Sequence, residues 1–206
     1  MLVSETFMVN LATMAASSKH DQRQTPGKLY TIPDEDTRIL RARLLLEECL
    51  ETINAMGIRV DAIVQTSNMP IASNVGEIST KLCMFHAIPN VPVNIVDVID
   101  GCVDLNFVST GTLAAFGVPD THHTEVVNFA NLDKFKNGAI VDVNGKFQKP
   151  EGWESPENYH RKLMEVVNDD TPRPSIVDFC MMPYLGHTRL GPANKMIQDF
   201  RIRIKG

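Results

Sequence analysis

From Pro33 to Met56 apolar residues recur at helical spacing, the signature of an amphipathic helix rather than a strand. Pro33-Asp34-Glu35-Asp36 opens this stretch with a proline and then acids that suit a helix N-terminus, and Gly57 is placed to close it. A second long helix is predicted from Asn94, a capping residue, to about Phe116, where Gly117-Val118-Pro119 stops it. Shorter helices fit Thr6–Ala16, His123–Lys136 and Tyr159–Val167. Ser17–Lys28 is polar and runs into Pro26-Gly27, so it reads as a loop. Residues 58–92, with Pro70 and Pro89, read as a linker carrying one short helix around Glu77–His86. Ala139–Val143 alternates between Asn137-Gly138 and Asn144-Gly145, which predicts a small hairpin. Lys149–Pro156 reads as extended, and the tail from Asp169 onward carries no regular pattern.

The two long helices carry rows of acids. Glu47, Glu48 and Glu51 form an EExxE cluster on one stripe of the first. Asp97, Asp100 and Asp104, spaced i, i+3, i+7, form a stripe on the second. Like charges one turn apart cost a helix a few tenths of a kcal/mol, so six clustered acids call for a compensating cation. The competing reading is a solvated acidic face. Leu40 and Leu44 continue the Glu row, and Phe107, Val108, Gly111 and Ala115 continue the Asp row. The opposite faces are apolar as well: Ile39, Leu46, Leu50 and Ile53 on the first helix, Ile95, Ile99, Cys102 and Leu113 on the second. A helix that is apolar nearly all round is buried, which places both acid rows at least partly inside. Buried carboxylates must be paired, protonated or metal-bound. Arg41 and Arg43 project away from the Glu row, leaving divalent cations as the simplest partner. Oxygen-only ligands favour Mg²⁺ or Mn²⁺ over zinc. Metals held this way suit phosphate chemistry: they neutralise and orient a polyphosphate and activate a water, whose proton a spare carboxylate takes.

These residues also match a known pattern. Arg43–Glu51 resembles the first metal helix of MazG-like and phosphoribosyl-ATP pyrophosphohydrolase-like enzymes, and Asp97–Asp104 followed by Thr110-Gly111-Thr112-Leu113 resembles the second, closest to the phage and bacterial branch. Glu125 through Asn131-Leu132-Asp133-Lys134-Phe135 is similar to that branch's third helix, and Asp142–Pro156 to the segment that follows. The resemblance covers roughly residues 35–157. It implies an all-α helical bundle of the NTP pyrophosphatase type, with a small β-hairpin and an irregular C-terminal tail. It implies metal-dependent hydrolysis of an NTP or dNTP between the α- and β-phosphates, giving a monophosphate and pyrophosphate. In the same terms, Glu47 and Glu48 are the expected catalytic groups, and Glu48, Glu51, Asp100 and Asp104, with Asp97, the expected Mg²⁺ or Mn²⁺ ligands. Asn131 and Lys134, one turn apart, and Lys149 beside them in the motif are the expected nucleotide contacts. A homodimer or a homotetramer of dimers is implied too. The family has a branch supplying deoxyguanylate, which makes dGTP a candidate substrate. The chain departs from the pattern in having Asp97 where a Glu is usual, a longer connection at 58–92, and an unmatched tail. The expected layout is an N-terminal segment 1–30, a catalytic domain 31–160 and an extension 161–206. Two other functions compete: the same scaffold acting on another pyrophosphate such as phosphoribosyl-ATP, and a non-catalytic nucleotide-binding protein.

Bulk properties narrow the classes further. The 206 residues, 43% hydrophobic and 22% charged, suffice for a domain with a real core. A net charge of −5 argues against a nucleic-acid partner, and no apolar run reaches the roughly 20 residues that span a bilayer. The first residues lack the basic start of a secretory signal, so a cytoplasmic protein, of a bacterium or a phage-infected host, is expected. Cys49, Cys83, Cys102 and Cys180 form no CxxC pair and read as small core residues in a reducing compartment. Adjacent His122 and His123 point about 100° apart on a helix and read as surface residues. Glu157-Asn158-Tyr159-His160 is a single ExxH with no second copy to make a di-metal site. Trp153, the sole tryptophan, reads as a packing wedge.

Overall fold

A computed structural model describes residues 3–62, 83–135, 140–142, 147–165 and 175–181. It is mostly helical: α1 Glu5–Ser17, a 3₁₀ turn Gln22–Gln24, α2 Glu35–Ala55, α3 Ile95–Ala115, α4 Asp120–Asp133, α5 Pro156–Glu165 and α6 Ile176–Met181. Strands β1 Ile58–Ala62 and β2 Cys83–Ala87 pair antiparallel. The all-α class with a small two-stranded element is therefore as expected. Among the described residues no helix is long and apolar enough to cross a membrane.

The chain forms two compact units. The first comprises residues up to Arg38 and from Thr110 onward. Its core is built on α1, where Phe7, Leu11 and Met14 at i, i+4 and i+7 make one buried stripe. Ser4 caps this helix through Phe7 N–H, and its own N–H and hydroxyl donate to the buried Asp120 carboxylate at the start of α4. Leu29, Tyr30, Ala114, Ala115, Ile176, Phe179 and Cys180 complete the cluster. Residues 27–31 run beside the end of α3: Gly27 N–H donates to Ala114 (2.9 Å) and Tyr30 N–H to Gly117 (3.1 Å). A side chain at Gly117 would strike Lys28, and its φ of +64° is itself left-handed, so glycine is required there. Helices α4 and α5 pack together, with Val126, Ala130, Tyr159 and Leu163 buried.

Several expectations are corrected here. The reading of 58–92 as a linker fails at both ends, which are paired strands; of the helix expected at Glu77–His86, residues 83–86 are strand and 77–82 lie outside the described residues. Ile58-Arg59-Val60-Asp61-Ala62 alternates with period two, and its apolar members face Ala87, Phe85 and Cys83 across the ladder. Near Asn144-Gly145, which lies outside the described residues, a single antiparallel bridge joins Val141 to Phe147. Helix α4 begins at Asp120, three residues before the predicted start. The segment 175–181, read as patternless, forms α6 and buries Ile176, Phe179 and Cys180 against α1. Ile176 N–H donates to Gly27 (2.9 Å). Of the cysteines, Cys180 is buried, Cys49 half-buried and Cys102 exposed.

Helix α6 has only six residues and no independent stability, so its apolar side chains hold it in place. Phe179→Ala is expected to destabilise the chain by about 3–5 kcal/mol, as for other buried aromatics cut to alanine. The urea midpoint measures this; a midpoint unchanged from wild type would mean that α6 contributes nothing to the core.

Candidate active site

The second unit, residues 39–109, consists of the later turns of α2, the β1–β2 pair and most of α3. Gly57, at φ +72°, ends α2, and its carbonyl accepts from Ile88 N–H (2.7 Å) after β2. Asn94 N–H then donates to Ala55 O (3.2 Å), so the start of α3 lies at the end of α2 and the helices run antiparallel. The predicted cap at Asn94 is present: its side-chain oxygen accepts from Val96 N–H (3.1 Å). Farther along, Gly101 lies against Thr52, where an added Cβ would come within 3.1 Å of the threonine Cα. Thr52 is buried and turns its hydroxyl back to Glu48 O (2.7 Å). A small residue facing a self-satisfied threonine lets the two backbones approach closely.

That approach brings the two acid rows to one cavity of about 270 Å³, lined by Glu48 and Glu51 from α2 and by Asp97, Asp100 and Asp104 from α3. Asn54, Ala55 and Gly101 complete the lining, so no basic group stands among the described residues of its wall. Glu48 and Asp104 are half-buried, whereas Glu51, Asp97 and Asp100 are exposed. Partial burial, then the nearby charges of Asp104, Glu51, Glu47 and Asp100, hold the Glu48 carboxyl above its ordinary range. Glu47 is exposed and lies outside the cavity lining. Asp97 accepts from the Asn94 amide (2.6 Å), so it also serves the cap of α3. Among the described residues no three acidic, histidine or cysteine side chains converge closely enough to clasp one ion directly.

Burial of both helices on all sides is not observed. Leu40, Leu44 and Phe107 are half-buried and Val108 is buried, but the opposite apolar faces are open. Leu46 is 60% exposed, Ile95 69% and Ile99 60%, with Ile39 and Leu50 also exposed. Among the described residues of this unit, each long helix has the other and the strand pair as neighbours, and its outward apolar face stays exposed.

The remaining expected site residues lie in the first unit. Lys134 donates to the Asn131 side chain (2.9 Å), and Lys134 and Lys149 place their Nζ atoms 5.6 and 4.6 Å from the centre of the Trp153 ring. Trp153 is half-buried and donates from Nε1 to Ala130 O (2.8 Å), the wedge position expected of it. The histidines were misjudged. His122 and His123 are both buried, and the His123 Nδ1 lies 2.9 Å from the Nδ1 of His160. The ExxH histidine thus has a role in packing that its motif did not suggest.

The chain matches the phosphoribosyl-ATP pyrophosphohydrolase family over residues 11–131, more than half its length. It belongs to that family. The matched stretch contains all of α2 and α3, hence every acid lining the cavity, and Asn131; Lys134 and Lys149 fall beyond it. No curated protein matches the chain. The family makes this chain a pyrophosphohydrolase acting on a nucleotide-like substrate.

The clustered charge of this pyrophosphohydrolase has a stability consequence. A carboxyl whose pKa is raised on folding favours the folded state when protonated, and that contribution is lost as pH rises from the unfolded value through the folded one. Glu48→Gln removes the repulsion at neutral pH. With divalent cations chelated, the variant is expected to melt about a degree or two above wild type at pH 7.5, with the difference vanishing near pH 4. Scanning calorimetry in EDTA tests this; an equal or lower Tm for the variant at pH 7.5 would remove the repulsion argument.

Proposed function

We propose that the chain hydrolyses a nucleoside triphosphate, NTP or dNTP, between its α- and β-phosphates, releasing a monophosphate and pyrophosphate, and requires Mg²⁺ or Mn²⁺. The observation carrying this reading is the cavity walled, among the described residues, by five carboxylates and no basic side chain. An all-oxygen donor set with that much negative charge suits a hard divalent cation. The cavity offers no ready-made three-residue cage, and Mg²⁺ characteristically takes only one or two carboxylates and fills its shell with water and substrate phosphate. Glu48, Glu51, Asp100 and Asp104 would hold the cation, and Asp97 would contribute at the cap end. When bound, the cation offsets the polyphosphate charge and acidifies an attacking water. Glu48, on the wall of the cavity, would also accept a proton from that water through the carboxylate oxygen that the cation leaves free. Glu47 would assist from the adjacent position. Asn131, Lys134 and Lys149 would contact the nucleotide, a role that rests on the motif they share with related enzymes.

The family's name favours a second substrate, phosphoribosyl-ATP. Incubating the protein with each common NTP and dNTP, dGTP included, and with phosphoribosyl-ATP in Mn²⁺ separates the readings. Release of pyrophosphate rather than single phosphate is expected from at least one triphosphate. Asp104→Asn is expected to lower kcat at least about 100-fold, in line with loss of a group acting in the reaction, while keeping the helical circular dichroism. Turnover of phosphoribosyl-ATP alone would replace the substrate; wild-type turnover in the variant would defeat the site.

We infer further that a second copy of the chain covers the open apolar faces of α2 and α3. Leu46 with Leu50, and Ile95 with Ile99, are i, i+4 pairs that leave continuous apolar stripes on a unit too small to bury them. A two-fold pairing would bury the same stripes on both partners. Light scattering after size exclusion should give a dimer or tetramer for wild type and a monomer for the double variant Leu46→Glu, Ile99→Glu. A monomeric wild type at tens of micromolar would overturn the pairing.

A further inference from the structure

The first unit holds a buried polar chain that the proposed hydrolysis does not use. Tyr30, His123 and His160 come from three separate elements: the segment after Gly27, α4 and α5. The Tyr30 hydroxyl lies 3.1 Å from His123 Nε2, and His123 Nδ1 lies 2.9 Å from His160 Nδ1. Tyr30 and His123 are buried and His160 is half-buried. The rings also touch, with centroids 5.8 Å apart for Tyr30 and His123 and 4.9 Å for the two histidines.

Two imidazole nitrogens this close require that one carry a hydrogen and the other a lone pair. Two neutral rings satisfy this. If His123 donates from Nδ1, its Nε2 accepts from the Tyr30 hydroxyl; if His160 donates, His123 returns its Nε2 hydrogen to the tyrosine oxygen. A single added proton keeps the nitrogen–nitrogen bond but places a charge in a poorly solvated site. A second sets hydrogen against hydrogen and cation against cation, and the rings must separate.

The neighbouring groups do not rescue a charged pair. On α4, His122 is buried beside His123 and opposes any positive charge there, while its own Nδ1 lies 3.5 Å from Glu125. On α5, Glu157 is the one group acting in favour of a charged His160, and burial outweighs it. Tyr30, held neutral by burial, offers only a hydroxyl. Burial first, then His160 and His122, push His123 down to about 4. His160 is lowered as well, by burial.

We propose that Tyr30, His123 and His160 form an acid-sensitive latch that fastens α5 and the segment at residue 30 to α4 and lets α5 go when protons enter the histidine pair. A histidine whose pKa falls on folding contributes fully above its unfolded value, 6.5, and loses that contribution as pH drops toward the folded value, for His123 about 4. Release is therefore expected within that window. This inference does not rest on the pyrophosphohydrolase reading, since it uses no residue of the acidic cavity.

Trp153 reports the latch. It is the sole tryptophan, stands just before α5, and its indole is bonded to Ala130 O on α4. Its emission and the far-ultraviolet circular dichroism of the full chain should be followed from pH 7.5 to 3.5. The wild type is expected to shift its emission to the red below pH 6.5 while helicity persists to a lower pH. His160→Gln keeps a hydrogen-bonding group but cannot take a proton, so its emission midpoint should fall by about one pH unit or more, a tenfold change in proton affinity. His122→Gln should leave the pair, and a red-shift on acidification, in place. A wild-type emission that stays constant to pH 4, emission and helicity that change together, or an unaltered midpoint in His160→Gln would each overturn the latch. Should that variant fail to fold, ring ¹⁵N resonances of the wild type decide the matter: His123 and His160 must gain their protons together with the emission change, and earlier protonation of either ring with no emission change refutes the proposal.

Discussion

Carboxylates repel one another, and the close approach of Thr52 to Gly101 holds five of them around a single cavity nonetheless. The approach is possible because Gly101 presents no side chain and because Thr52 satisfies its hydroxyl within its own helix, on Glu48 O. Three further constraints fix the pairing: the left-handed Gly57, the bond from Asn94 to the end of α2, and the β1–β2 ladder that closes the connection. None of these groups is acidic. The backbone frame thus carries the cost of assembling the charge, and the raised Glu48 pKa is where that cost is visible. This concentration of negative charge, with no basic side chain among the described residues of the cavity wall, is the feature on which the proposed cation requirement rests.

The same unit explains why the apolar faces stay open. An α-helix in a small domain buries one stripe against its neighbours. Here α2 and α3 use their facing stripes for each other and for the acidic cavity, while Leu46, Leu50, Ile95 and Ile99 lie on the outside. These are the stripes that the proposed pairing of two copies would bury. The expectation that both faces are buried fails because apolar spacing marks a face suited to burial without supplying the neighbour that buries it.

How far the chain could be read follows the range of each interaction. Local signals sufficed for α2 and α3, where caps, stops and helical spacing lie within a few residues of what they control: Asn94 for Val96, Gly57 for α2. The convergence of Glu48 with Asp104 was legible because each row keeps one face of its own long helix. The strand pair was missed although Ile58–Ala62 alternates cleanly, since its partner is more than twenty residues away and Pro70 and Pro89 suggested a linker. Helix α6 was missed because six residues hold too little pattern, and its partners Phe7 and Leu29 lie at the other end of the sequence. His123 looked like a surface residue because what buries it, Tyr30 and His160, stands 93 and 37 residues off.

The two titrating clusters pull the pH dependence of stability in opposite directions. Glu48 favours the folded chain when protonated, so its contribution falls as pH rises. His123 and His160 favour it when neutral, so theirs falls as pH drops. Without a cation the Glu48 contribution declines as pH rises above 4.5 and the imidazole contribution declines as pH falls below 6.5, so over the shared range the two slopes oppose and partly cancel. A divalent cation at the proposed site would offset the first effect and not the second. The net slope would then be that of the histidines alone, with stability declining as pH falls from 6.5 toward the His123 value of about 4.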